Sequence, residues 1–267
     1  MKSYIKNNKA AWEEAYNHAP ESYKNIVQRL KEQPESFISE FQKQHLDAKD
    51  INHKVIAQLL CNNGREILAL GLMFQARQII GFDIAENMVH DANQTAKELD
   101  VNASFYAMNV LEIPEKFYGT VDTIFIQIGA ICWIKDLKEL FWKVSKLLKQ
   151  GGTFYLLDGH PITNMIGMEG EEGYDPKHPN QLIHSYFKET PYVDFQSAGY
   201  MTKESYESKV FTSFAHTFEG ILMPMIESGL TIQSFYESNA NLLENFPDLD
   251  GKGYPLVFFL KAIKQHQ

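Results

Sequence analysis

Two residues nineteen positions apart, Gly64 and Asp83, are of the types that hold a nucleoside. Gly64 closes the turn Cys61-Asn62-Asn63-Gly64, which separates a run of strand formers beginning at Val55 from a helically periodic stretch ending at Leu70. Where a strand, a tight turn and a helix follow one another, the first amides of the new helix are open to a bound group. Asp83 ends the apolar run Ile79-Ile80-Gly81-Phe82, and a carboxylate at that distance from the glycine can take the ribose hydroxyls.

Candidates for proton transfer are more scattered. His160 follows an apolar strand at the carboxyl edge of the expected sheet, and Tyr192 lies in an irregular stretch beside it, with His184 and Tyr186 nearby. His216 sits between Phe214 and Phe218, where a hydrogen-bonded structural histidine is the usual explanation. His160 and Tyr192 are the candidate catalytic residues. Cys61 is not read as a nucleophile, because no partner base accompanies it.

These residues need elements to position them. Residues 1 to about 50 read as an amphipathic helical cap, with Tyr23, Ile26, Val27 and Leu30 on one helical face. From Val55 strands and helices alternate. Strands are expected near Val55 to Leu60, Gln78 to Asp83, Ala103 to Met108, Val121 to Gln127 and Thr153 to Asp158. The clearest helix starts at the N-cap Asp136, carries Leu137, Leu140, Phe141, Val144, Leu147 and Leu148, and stops at Gly151-Gly152. From about 160 to 209 glycine, proline and acidic residues replace any sustained period, which predicts a lid-like insertion of loops. A helix containing Phe211, Phe214, Phe218, Leu222 and Met225 is expected next, with Pro224 as a kink, and then strands at Thr231 to Glu237 and Pro255 to Ile263. The expected fold is α/β: a Rossmann-like seven-stranded mixed sheet, five parallel strands plus a terminal antiparallel hairpin, with helices on both faces and an insertion after strand five. The main domain spans about 51–264, after the cap over 1–50.

Composition narrows the function classes. Twenty-five basic against thirty-four acidic residues, a net charge of −9, argue against a nucleic-acid partner. The two cysteines, seventy-one positions apart, have neither metal-ligand nor disulfide spacing, so no metal site is expected and a reducing cytoplasm is. No apolar stretch reaches the about 18 residues of a membrane span or resembles a signal peptide, so no membrane partner is expected. Composition leaves monomer and dimer open.

The chain resembles the class I S-adenosylmethionine-dependent methyltransferases over about Lys54 to Lys264, and within them an uncharacterised small-molecule-type group. The resemblance rests on the cysteine and Gly64 of the first turn, GAICWIKDL after strand four, LLKQGGTFYLLDGHP at strand five, and SYF in the insertion. It implies S-adenosylmethionine as cofactor. Asp83 matches the acid that takes both ribose hydroxyls; Ile84 and Met88 fall where apolar side chains flank adenine; Asn109 and Val110 match the pair that reads the adenine edge. Gln127 and Ile131 belong to the loop beneath the sulfonium, whereas Trp133 is assigned to packing. The first turn departs from the family's glycine-rich pattern: Leu60 and Asn62 hold its first two glycine positions, and Gln58 stands where an acid is usual. Asn62 tolerates left-handed angles, Gly64 leaves room for the ligand, and Gln58 can accept from the methionine amino group without a charge. Gln58, Cys61, Asn62 and Gly64 are accordingly cofactor-binding candidates.

The expected reaction is methyl transfer to a small-molecule acceptor by in-line displacement. A non-catalytic protein that binds S-adenosylmethionine or S-adenosylhomocysteine is the alternative, and a nicotinamide-dependent oxidoreductase ranks last, since one glycine of its fingerprint survives.

Overall fold

The computed structural model describes residues 3–168, 171–196, 198, 199, 201, 202 and 205–265. Four helices come first: α1 (Ser3–His18), α2 (Glu21–Lys24), α3 (Val27–Glu32) and α4 (Glu40–His45). The face Tyr23, Ile26, Val27 and Leu30 is broken by the extended Asn25, so these residues belong to two short helices and not to one. The alternating part runs β1 (Val55–Leu59), α5 (Arg65–Met73), β2 (Gln78–Asp83), α6 (Glu86–Glu98), β3 (Ala103–Ala107), β4 (Val121–Ile126), α7 (Leu137–Leu147) and β5 (Leu148–Gly159). Then come β6 (Tyr192–Gln196), β7 (Glu207–Ser213), α8 (Phe218–Glu227), β8 (Leu230–Ser238) and β9 (Val257–Lys264).

Among the described residues seven strands form the main sheet, in the order β3-β2-β1-β4-β5-β9-β8. β1 to β5 are parallel, and β9 enters antiparallel between β5 and β8. Period-two alternation sends Phe154 and Leu156 to one face, against Phe141, Val144 and Leu147 of α7, and Tyr155 and Leu157 to the other, against the core of α5 and α6. On that second face Phe125, Tyr155 and Phe259 stack with centroids 5.3 and 5.5 Å apart. The Tyr155 hydroxyl donates to Asp50 at 2.7 Å, tying the amino-terminal segment to the sheet.

Three local expectations change. α7 ends at Leu147, and Gly151 takes its left-handed angle (φ 70°) inside β5, where the pairing with β4 shifts register. Phe211 lies on β7 and Phe214 in the connection before α8, so neither belongs to that helix. The insertion is not loops alone: β6 and β7 pair antiparallel, apart from the main sheet. α1 packs along β7, and the buried Asn8 amide completes the match. Its Nδ2 donates to Thr212 O at 2.8 Å while its Oδ1 accepts from Thr212 N–H at 2.7 Å, as a neighbouring strand would.

Candidate functional site

The strand order reverses between β1 and β4, and the chain opens a cavity of about 890 Å³ beyond the carboxyl ends of these strands. That is the crevice where open α/β sheets take ligands, and the volume lies near the top of the about 300–1,000 Å³ common for small-molecule sites.

The turn after β1 keeps a glycine-like path with few glycines. Leu60, Asn62 and Gly64 all have positive φ, 57°, 51° and 76°. Asn62 therefore makes the left-handed turn its residue type allows, while Leu60 holds an angle that costs a leucine about 1–2 kcal/mol. Leu60 and Asn62 line the cavity, but Gly64 and Cys61 do not. A Cβ on Gly64 would lie 2.5 Å from the Phe105 ring, so the glycine makes room for packing behind the turn and not for a ligand. Cys61 is wholly buried in the same place, and burial pushes its thiol pKa well up, as suits an inert packing residue. Gly81 shares this packing: a Cβ there would meet Phe105 at 2.1 Å and the Cys61 sulfur at 2.8 Å.

Asp83 fastens the turn to β2. Its Oδ2 accepts from Asn62 N–H at 2.8 Å and its Oδ1 from Ala85 N–H at 3.0 Å, and burial raises its pKa against these donors. A carboxylate has about four lone-pair sites, so both oxygens keep acceptor capacity toward the cavity. Ile84, Met88, Asn109 and Val110 line the cavity beside it. The Asn109 Oδ1 accepts from Leu111 N–H at 3.2 Å and thereby starts the 3-10 turn that presents Val110.

Gln58 on β1 and Gln127 after β4 stand on either side of the strand-order reversal, and both line the cavity. The Gln127 Oε1 accepts from Gln42 Nε2 of α4 at 3.0 Å, which leaves its Nε2 as the free end of the amide. Gln127 Nε2 and Gln58 Oε1 are buried and have no hydrogen-bond partner. Each such group costs about 1–3 kcal/mol if nothing meets it. Together they leave one donor and one acceptor unmet beside the cavity.

Asp158, at the end of β5, was legible only as a strand end. Its Oδ1 accepts from Gly129 and Gly159 N–H at 3.0 and 2.7 Å, and its Oδ2 from Ala130 and Ile131 N–H at 3.0 and 2.9 Å. The carboxylate thus pins the loop after β4 that carries Ile131 into the cavity wall. Burial outweighs these donors and pushes its pKa up to about 6.

The remaining wall comes from α1, the loop after β4 and the insertion. Trp12, Trp133 and Phe211 meet with centroids 4.8–5.7 Å apart, and all three line the cavity. Trp133 is packing and wall at once, its Nε1–H donating to Gly129 O at 2.8 Å. Tyr192 lines the cavity, but its hydroxyl donates to Asn164 O at 2.9 Å and burial raises its pKa, so it keeps its proton. His160 is not among the lining residues. As the residue before Pro161 it caps a 3-10 turn, with Nδ1 accepting from Ile162 N–H at 3.1 Å and Nε2 facing Glu237 at 2.9 Å. The candidate base therefore falls at a turn outside the cavity. His216 lines the cavity, bonded to Ile134 O at 3.0 Å.

A profile described as a methyltransferase domain matches residues 56–152. Over that stretch the chain is similar to the methyltransferase family the profile describes. A Listeria monocytogenes protein assigned as an S-adenosylmethionine-dependent methyltransferase superposes with a TM-score of 0.63 at 20% identity, over 84% of this chain and 96% of that one. One from Mesorhizobium loti gives 0.59 at 20% identity, over 88% and 99%. Geranyl diphosphate C-methyltransferase from Streptomyces coelicolor, solved with Mg2+, a substrate analogue and S-adenosyl-L-homocysteine, gives 0.56 at 16% identity, over 84% and 74%. These likenesses carry the fold. An uncharacterised protein of Methanocaldococcus jannaschii is 33% identical over 73 residues, and the match spans 27% of this chain and 32% of that protein's length. No described helix is long and apolar enough to cross a membrane.

Proposed function

We propose that this methyltransferase-fold chain binds S-adenosylmethionine and transfers its methyl group to a small-molecule acceptor. The observation that carries the reading is the pair of buried, unpartnered amide atoms, Gln58 Oε1 and Gln127 Nε2, in the cavity that Asp83 also lines. Asp83 would accept from the ribose hydroxyls, Ile84 and Met88 would flank the adenine, and Asn109 with Val110 would meet its edge. Gln58 would accept from the ligand's amino group and Gln127 donate to its carboxylate; Asn62, Leu60 and Ile131 would complete the wall. Cys61 and Gly64 support this site from behind. Bound S-adenosylmethionine supplies an already activated methyl, so the chain's task is to align the acceptor and exclude water.

The reading without turnover draws on the neutral Gln58 where an acid is usual. The further wall of Trp12, Trp133, Phe211 and Phe214 favours turnover, because a sensor needs no second compartment. Titration calorimetry with S-adenosylmethionine and with NAD, followed by transfer of labelled methyl to a metabolite panel, tests the proposal. Saturable binding of the first cofactor alone and a labelled product are expected; no binding at millimolar concentration would refute it.

A further inference from the structure

We propose that Glu171 and His184, in the insertion after β5, form the proton-accepting pair of this site, and that the acceptor is therefore a hydroxyl or amine on an apolar body. This rests on the methyl-transfer reading. Both residues line the cavity, on the wall shared with Ile166, Met168 and Tyr192. Their side chains are 26% and 23% exposed, sheltered enough for the pair to count yet open to a ligand.

The His184 Nε2 lies 3.2 Å from Glu171 Oε2. That oxygen also accepts from Met168 N–H at 2.7 Å, which fixes the carboxylate, and the His184 backbone N–H donates to Met165 O at 3.1 Å. A carboxylate at Nε2 sets the tautomer: the proton sits on Nε2 and the lone pair on Nδ1. No protein partner meets Nδ1 among the described residues. His216, the other histidine on the wall, turns its ring to the backbone carbonyls of Ile134 and Ile131 instead. A base held by an oriented carboxylate, with its other nitrogen open, is the arrangement that proton transfer from an acceptor requires.

In the step, a lone pair on the acceptor oxygen or nitrogen forms the bond to the methyl carbon. The carbon–sulfur bond breaks with its electron pair going to sulfur, which becomes a neutral thioether. The acceptor proton passes to His184 Nδ1, Glu171 stabilises the imidazolium, and water takes the proton afterwards. The wall's charges point to the same class of acceptor. Arg65 is the one cation lining the cavity among the described residues, and it is 2.7 Å from Glu66. Glu244 and Glu171 also line the space, and with Arg65 held by Glu66 a phosphate-bearing acceptor is poorly matched in charge.

The test uses the full chain, the variants His184→Asn and Glu171→Gln, and four acceptor probes: catechol, 2-phenylethylamine, thiophenol and geranyl diphosphate. Calorimetry with S-adenosylmethionine is expected to give the same affinity within about threefold in all three proteins, which also reports that the variants fold. Catechol or 2-phenylethylamine is expected to be methylated. The kcat should fall at least about 100-fold in His184→Asn with KM little changed. The wild-type rate should rise with pH through a histidine titration, and that limb should vanish in the variant. The groups facing this histidine are Glu171 at 3.2 Å and the Tyr192 ring at 5.8 Å, and Lys188 lies over that ring. The kcat should fall in Glu171→Gln as well, with KM little changed. The proposal is overturned by an unchanged rate in His184→Asn or in Glu171→Gln, by methylation of thiophenol or geranyl diphosphate alone, or by cofactor binding without turnover of either hydroxyl or amine probe. Failure of the wild type to bind the cofactor removes the methyl-transfer reading itself, a separate result.

Discussion

The two halves of the cavity are held together in different ways. On the cofactor half, side-chain carboxylates at strand ends are held by main-chain donors: Asp83 joins the turn after β1 to β2, and Asp158 joins the loop after β4 to β5. On the acceptor half, long connections meet through side chains, with Asn8 acting as a strand edge for β7 and Glu171 orienting His184. Main-chain geometry at a sheet edge is shared by every sequence of one fold, whereas contacts of the second kind depend on which side chains the connections bring. The first half can stay constant while the second is rebuilt for each acceptor.

That contrast breaks most sharply at Asp83. Asp83→Ala removes two charge-assisted acceptors from the ribose and is expected to cost about 3–5 kcal/mol of S-adenosylmethionine binding, some hundredfold or more in affinity. Calorimetry reads the loss, and an unchanged affinity would take Asp83 out of the site.

Asp158 comes next. Its folded pKa of about 6 lies above the ordinary value of 3.8. The native state thus holds this proton more tightly than the unfolded chain does. The resulting stabilisation is fully present below about pH 4 and is lost as pH rises through 6, a swing of about 3 kcal/mol. Asp158→Asn cannot titrate, so unfolding free energies measured from pH 4 to pH 7.5 should show the wild type losing stability relative to the variant. A pH-independent gap would contradict the account.

A smaller effect is expected at the joint of the acceptor half. Asn8→Ala leaves the Thr212 N–H and C=O without their partners and should cost about 2 kcal/mol in chemical unfolding. It should slow turnover while leaving cofactor affinity within about threefold, and a large loss of cofactor affinity would show that the halves are not separable. The smallest change is expected from Leu60→Gly. Release of the left-handed strain, about 1–2 kcal/mol, should offset most of the lost leucine contacts, so the unfolding free energy should move by less than about 1 kcal/mol.

The same division explains what could be seen in the sequence. Strands buried on both faces read as apolar runs, so β1 to β5 and the closing pair were found within a few residues. Asp83 was legible because it ends such a run at a fixed distance from a turn. Phe211 and Phe214 misled because apolar residues three apart suit a helix, while β7 gains its partner from β6 and from Asn8 on α1, far away in the chain. Gly64 packs against Phe105, a residue on β3 that local spacing cannot reveal, and Cys61 is buried in the same cluster. Asp158, Glu171 and Asn8 act through partners 13 to 204 positions distant, and no periodicity marks them. His160 sat beside the correct edge, but its proline forced a turn that turned the ring into a cap.

The central claim is that Gln58 and Gln127 receive the amino-acid end of S-adenosylmethionine. Calorimetry of S-adenosylmethionine against 5′-methylthioadenosine, which lacks that end, tests it most directly when run on the wild type and on Gln127→Leu. The account predicts that the wild type prefers S-adenosylmethionine by about 2–3 kcal/mol, roughly 30- to 150-fold, and that Gln127→Leu loses most of this preference while its affinity for 5′-methylthioadenosine barely moves. Equal affinities for the two ligands in the wild type, or a preference that survives in Gln127→Leu, would contradict it.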